Sequence, residues 1–209
     1  MTEVLEPRLV AGAKALGIAL EPRQIAAFMT LVAELTEWNT RFNLTAITVP
    51  AEIVDKHLLD SLAVQPYLHG LRVADIGTGA GFPGLPLAIV NPNRRFTLVE
   101  STGKKAAFLR HVIDTLKLTN VEVVQGRSEA MHPPRPFDSV IARALGSLSD
   151  FVRVAGHLAG RHGRLLAMKG RPPMEELEAL PAGWKALGVH PIRVPGLDAE
   201  RCLVELARV

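Results

Sequence analysis

Val73-Ala74-Asp75-Ile76-Gly77-Thr78-Gly79-Ala80-Gly81-Phe82-Pro83-Gly84 is the stretch that decides the fold. An apolar run of strand length ends at Ile76, a glycine-rich turn follows, and Gly84–Val90 then reads as a helix. Glycines allow a tight turn and a close approach of a ligand to the backbone. Gly79, Gly81 and Gly84 match the dinucleotide pattern G-x-G-x-x-G, which alone is a weak signal. Asp75 argues against a dinucleotide. A pyrophosphate at the helix N-terminus is repelled by a fixed carboxylate just before the first glycine. S-adenosylmethionine carries no phosphate, and its ammonium and sulfonium both favour a nearby acid. Acid-x-Gly-x-Gly-x-Gly therefore reads as the methyltransferase form of the turn. Glu100, which closes the next apolar run, is placed to hold the ribose hydroxyls.

Downstream of this turn, short apolar runs alternate with helical segments. The candidate strands are Arg72–Ile76, Phe96–Glu100, Val121–Gln125, Ser139–Ala142 and Arg164–Met168. Between them lie candidate helices at Gly84–Val90, Gly103–Lys117, a short one after Ser128, and Leu148–Leu158. The last runs, Gly188–Val194 and Cys202–Ala207, follow each other without a helix and predict an antiparallel pair at one edge. The expected class is α/β, with an open, mostly parallel seven-stranded sheet and helices on both faces. Pro133, Pro134 and Pro136 mark one surface turn and Pro172-Pro173 another.

Upstream, the chain reads as helices. Val4, Leu5, Leu9, Ala13 and Leu16 recur at helical spacing, and Ile25, Phe28, Met29, Val32, Leu35 and Phe42 form another apolar face. The predicted organisation is a helical extension over 1–70 followed by a Rossmann-like domain over 71–209, together one compact unit. Hydrophobic residues make up 48% of the chain, which supports a full core without staples. The single cysteine, Cys202, excludes a disulfide framework and a Cys-based zinc site, and no metal ligand set is read elsewhere. The acidic start and the absence of a long apolar run predict a cytoplasmic protein with no membrane segment. Nothing in the pattern calls for an obligate oligomer, so a monomer is expected. A net charge of +3 permits an RNA partner without demanding one.

Further segments narrow the reading. They are Asn43-Leu44-Thr45-Ala46-Ile47, His57-Leu58-Leu59-Asp60-Ser61-Leu62, the run Asp75 to Pro86, and Leu98-Val99-Glu100-Ser101 with Lys104-Lys105. Arg127-Ser128-Glu129, Phe137-Asp138, Ala142-Arg143-Ala144 and Met168-Lys169-Gly170 follow. Together they resemble the bacterial guanine-N7 methyltransferases of 16S ribosomal RNA, the glucose-inhibited division protein B family. The resemblance runs from about Trp38 to Gly170 and implies the class I S-adenosylmethionine methyltransferase fold. It also implies that the cofactor lies against Gly77, Phe82, Ser128, Glu129 and Arg143, with Glu100 on the ribose. The implied acceptor is a guanine in the decoding-region loop of 16S ribosomal RNA, free or in a small-subunit particle. The full candidate cofactor set is Asp75, Gly77, Thr78, Gly79, Gly81, Phe82, Glu100, Ser101, Ser128, Glu129 and Arg143.

The residues agree with N7 chemistry by what they lack. Guanine N7 has a free in-plane lone pair and no proton, so proximity and water exclusion suffice. No Asn-Pro-Pro-Tyr for an exocyclic amine follows the fourth strand, which leads into Ala142-Arg143-Ala144-Leu145. Cys202 sits in an apolar run, where a core role is expected rather than that of a nucleophile. Arg143 and Lys169, after the fourth and fifth strands, are the candidate positioning cations, against a bland reading as surface charges or carboxylate partners. His57 reads as packed or solvated, and Trp38 and Phe42 as core. Asn39 and Asn43 either end the long helix or line an RNA entry. The competing functions are a methyltransferase for a small molecule or protein, a non-catalytic RNA-binding factor with a degenerate site, and, disfavoured by Asp75, a nicotinamide oxidoreductase.

Overall fold

The computed structural model describes residues 2–209. Helix α1 (Thr2–Ala15) and helix α2 (Pro22–Phe42) come first. In α2, Phe28, Leu31, Val32 and Leu35 form the buried stripe that an amphipathic helix requires. Pro22 opens it, and the Gln24 side chain accepts from the Glu21 amide at 2.9 Å. Asn43 ends it in the left-handed region, φ 48°, where asparagine is tolerated. A short α3 (Pro50–Ile53) runs into a π-helical turn, Val54–Leu59, and then into α4 (Asp60–Leu62).

The sheet follows: β1 (Arg72–Ile76), α5 (Gly84–Val90), β2 (Arg95–Glu100), α6 (Gly103–Leu116), β3 (Val121–Gln125) and β4 (Phe137–Arg143). It continues through α7 (Leu148–Ala155), β5 (Ala159–Lys169), α8 (Met174–Glu178), β6 (Trp184–Pro191) and β7 (Cys202–Arg208). The strand order is β3-β2-β1-β4-β5-β7-β6. β7 is antiparallel to both of its neighbours, β5 and β6, and all other pairings are parallel. The expected antiparallel pair is therefore present, with β7 inside and β6 at the edge. β5 starts earlier than its apolar run, and α8 fills a stretch read only as a proline turn.

Two apolar clusters clothe the sheet. On one face Leu9, Phe28 and Leu31 pack with Leu85, Leu98 and Phe108 in a single core, so the N-terminal helices, α5 and α6 share one layer. The other face packs Phe151 and Leu158 on Ala74, Val140 and Leu165. Connections thus leave β1 for one face and β4 for the other. The crevice between the carboxyl ends of β1 and β4 is the switch point where open α/β sheets bind ligands. Among the described residues no helix is long and apolar enough to cross a membrane.

Candidate active site

The glycine-rich turn is organised around Asp75. Its side chain is buried, and Oδ2 accepts from Thr78 Oγ1 at 2.6 Å and from the Gly84 amide at 2.7 Å. Oδ1 is buried with no hydrogen-bond partner. Burial pushes the carboxyl up to about 6, against the Thr78 and Gly84 hydrogen bonds and nearby Arg143, which favour the charged form. An unpartnered buried carboxylate oxygen is costly and calls for a donor. Glu100 closes the crevice from β2, with Oε2 accepting from the Gly79 amide at 2.9 Å and Oε1 from the Thr102 amide at 2.7 Å.

The glycines have different jobs. A Cβ on Gly79 would meet nothing closer than the Gly77 carbonyl at 4.0 Å, and its φ is +63°. That residue faces open space in the crevice. A Cβ on Gly84 would strike Leu98 and lie 2.8 Å from Asp75 Oδ2, so this glycine serves helix–strand packing. The crevice continues into a cavity of about 550 Å³ lined by Ile76, Gly77, Val99, Ser101, Ser128 and Glu129, with Leu145 across from them. Apolar walls suit an adenine, Glu100 suits a ribose, and the free Asp75 Oδ1 suits an ammonium. These residues fit S-adenosylmethionine.

Beside it, around the ends of β4, β5 and β7, lies a second cavity of about 360 Å³. Ile47, Val64, Met168 and Ile192 give it apolar walls, and His57, Asp60, Arg143 and Arg201 a polar floor. Ala144 lines both cavities. Arg143 Nη1 donates to the Lys56 carbonyl at 3.1 Å and to Asp60 Oδ2 at 3.2 Å, and Nη2 lies 3.1 Å from His57 Nδ1. The other Asp60 oxygen accepts from Arg201 Nε at 3.1 Å. The His57 ring stacks on Phe82, centroids 4.4 Å apart and planes 10° off parallel, and Arg143 also lies over Phe82 at 5.6 Å. The turn that faces the first cavity thus supports the floor of the second.

The family model for GidB, rRNA small subunit methyltransferase G, matches residues 24–204. The chain belongs to the GidB family. It is 47% identical over 207 residues, 98% of either chain, to Ribosomal RNA small subunit methyltransferase G of Xanthomonas campestris pv. campestris (strain 8004). The protein of that name from Azoarcus sp. (strain BH72) is 48% identical over 202 residues, 96% of this chain and 95% of that one. Among solved structures, the glycopeptide N-methyltransferase MtfA with S-adenosylhomocysteine gives a TM-score of 0.61 at 12% identity, over 73% of this chain and 87% of that one. TrmN from Thermus thermophilus gives 0.57 at 19%, over 75% and 53%. At such identities the structural likeness speaks for the fold alone. As a GidB chain, this protein is an S-adenosylmethionine-dependent methyltransferase.

Within this GidB site the expected residues part ways. Gly77, Ser101, Ser128 and Glu129 line the first cavity, while Thr78 and Asp75 lie buried beneath the turn and shape it. Gly81 does not face the cavity: a Cβ there would run into Leu85 and lie 3.0 Å from Leu109. Phe82 is buried under His57 and Arg143. Lys169 lines the second cavity, but its Nζ is turned to the Gly146 carbonyl at 2.6 Å and to Glu176 at 2.8 Å. The bland reading, a cation with a carboxylate partner, describes it as it stands. Phe42 is 37% exposed and leans on Trp38 at 5.3 Å, so the helix end it occupies does not reach the core.

Sequence reasoning missed Asp60 as a partner of Arg143, and Arg201 as the second arginine on Asp60. His57-Leu58-Leu59-Asp60 was visible as a segment, but nothing in it pointed to an arginine more than eighty residues on. Asn39 lies within α2, and Asn43 ends that helix. The Asn39 amide grips the Thr45 backbone at both ends, donating to the carbonyl at 3.0 Å and accepting from the N–H at 2.9 Å. Among the described residues no group of three or more His, Cys, Asp or Glu could hold a metal ion.

Proposed function

We propose that this enzyme methylates N7 of a guanine in the decoding-region loop of 16S ribosomal RNA, acting as a cytoplasmic monomer and without a general base. One observation carries the base-free part. The polar groups on the floor of the second cavity are already engaged with one another: His57 Nδ1 with Arg143, and both Asp60 oxygens with arginines. Such a floor has no side chain ready to take a proton, which suits a nucleophile that has none to lose.

The bound cofactor supplies an electrophilic methyl group on a sulfonium. Asp75 Oδ1 and Glu100 hold its ammonium and ribose ends. Ile47, Met168 and Ile192 enclose the base and exclude water, and Ala144 forms the shared wall between methyl donor and acceptor. The guanine Hoogsteen edge offers O6 and N7 as acceptors. A donor on N7 blocks the reacting lone pair, so Arg143 or Arg201 serves O6 or a phosphate instead.

Mapping of N7-methylguanine after incubation of the enzyme and S-adenosylmethionine with unmodified small-subunit particles, and separately with naked 16S RNA, tests this. A single modified guanine in the decoding-region loop is expected. Methyl incorporation at an exocyclic amine, or into protein or a small molecule instead of RNA, overturns the assignment.

A further inference from the structure

We infer that His57 is the positioning residue for Arg143: a neutral imidazole, protonated only on Nε2, that sets the guanidinium between the cofactor turn and the acceptor cavity. This rests on the reading of the second cavity as the acceptor site.

The Arg143 contact sets the tautomer. A guanidinium only donates, so at 3.1 Å from Arg143 Nη2 the His57 Nδ1 must accept. The ring proton is then on Nε2, which lies 2.9 Å from Thr45 Oγ1 and donates to it. Thr45 is itself immobilised. Asn39 clamps its backbone at both ends, and its hydroxyl oxygen also accepts from the Ile47 amide at 3.1 Å. A line of contacts thus runs from α2 through the Thr45 loop and the imidazole to the end of β4. The stacked Phe82 ring removes the remaining freedom of the imidazole plane.

A π-helical turn carries the three acceptors. The Asp60 amide reaches back to the Asp55 carbonyl, five residues away, and to that of His57. The Lys56 carbonyl is therefore not its partner and accepts from Arg143 instead. His57, Lys56 and Asp60 so present three acceptors to one guanidinium.

Protonated His57 destroys the arrangement, because an N–H on Nδ1 would face a guanidinium. The surrounding charges are Arg143 from β4, Arg201 just before β7 through Asp60, and Lys56, Asp55 and Asp60 on its own segment; Asp55 is paired with Arg8 of α1. Burial, then Arg143, lowers the imidazole to about 3. The ring stays neutral wherever the enzyme works. A positioning role and a base role therefore predict different things.

The test pairs two variants that divide the imidazole. His57→Asn retains an acceptor near the Nδ1 position, and His57→Gln one near Nε2. With S-adenosylmethionine and small-subunit particles saturating, His57→Gln should lower the single-turnover rate by about 10- to 100-fold, the loss for a charged donor left unpaired. His57→Asn should recover most of it, and neither should introduce an ionisation between about pH 5.5 and 8.5. Nitrogen-15 NMR of histidine-labelled wild type should show the Nε2–H tautomer of His57 throughout this range. The Arg143 Nε–H signal should broaden in His57→Gln and stay sharp in His57→Asn. An Nδ1–H tautomer, a titration in that range, or equal losses in both variants overturns the inference. The NMR measurements need no RNA, so they stand even where the acceptor assignment fails. Should His57→Gln not fold, Thr45→Val replaces it: the rate should fall while the Nε2–H form persists, because Arg143 still faces Nδ1; an Nδ1–H form in that variant overturns the inference.

Discussion

The Gly84 amide donates to Asp75 Oδ2 at 2.7 Å, closing the whole glycine-rich turn on one carboxylate oxygen and leaving the other, buried, without a partner. The same side chain thus shapes the turn and keeps one buried oxygen unpaired.

Its titration makes this measurable. Burial raises Asp75 from 3.8 to about 6, so between those values the folded protein holds a proton that the unfolded chain has lost. The contribution of Asp75 to stability therefore falls as pH rises through this window and is level above it. A cationic ligand on Oδ1 needs the ionised form. Affinity for S-adenosylmethionine should be full near neutrality and decline below pH 6, by at most about tenfold per pH unit. Asp75→Asn keeps the acceptor for Gly84 and should bind more weakly with a flat profile. Calorimetric titrations from about pH 5 to 7 decide it; a flat wild-type profile removes Asp75 from the cation site.

Gly79 and Gly84 should fail in opposite ways. Gly79→Val adds a side chain to open crevice at φ +63°, costing about 1–2 kcal/mol for the left-handed backbone and blocking the cofactor. Gly84→Ala drives a methyl group into Leu98, with an overpacking cost of about 1–3 kcal/mol. Thermal unfolding and cofactor titration of both variants should show the binding loss in the first and the larger melting shift in the second. Normal binding by a folded Gly79→Val variant would misplace the pocket.

Asp60 joins Arg143 and Arg201, which are 25% and 31% exposed at their side chains. Asp60→Asn should lower stability by about 1–2 kcal/mol, less than for a fully buried pair because both guanidiniums see solvent. It should reduce methyl transfer with little change in cofactor affinity. A cofactor-affinity loss as large as the rate loss argues against a separate acceptor floor.

Arg171 stands at the rim, 88% exposed and 3.9 Å from Glu200, itself 75% exposed. Arg171→Glu should weaken RNA binding, reduce its dependence on salt, and leave S-adenosylmethionine binding within about twofold, since counterion release concerns only the RNA. Filter binding across a salt series against cofactor calorimetry reads both; equal losses remove Arg171 from the RNA surface.

A base-free, metal-free transfer also predicts insensitivity to chelation. Single-turnover methyl transfer in excess EDTA, with RNA folding controlled separately, should match the untreated rate. A loss restored by a divalent ion counts against the mechanism.

Much of the fold was legible because the strands of the parallel sheet read as short apolar runs between helical segments. β1, β3 and α5 have the bounds their sequences imply, and Asp75, the glycines and Glu100 declare the crevice by spacing alone. Local chemistry sufficed there: φ, side-chain size and charge act over a few residues. The pairings that define the acceptor side are of another kind. His57 and Arg143 are 86 residues apart, Asp60 and Arg201 141, and Lys169 meets a glutamate on a helix hidden in a proline turn. A polar side chain carries no sign of its partner. The partner is chosen when the N-terminal helices dock on the α5–α6 face and bring the π-helical turn over the end of β4. The chain by itself declared the glycine-rich crevice and its two carboxylates; only packing decided which arginine, beside which imidazole, floors the second cavity.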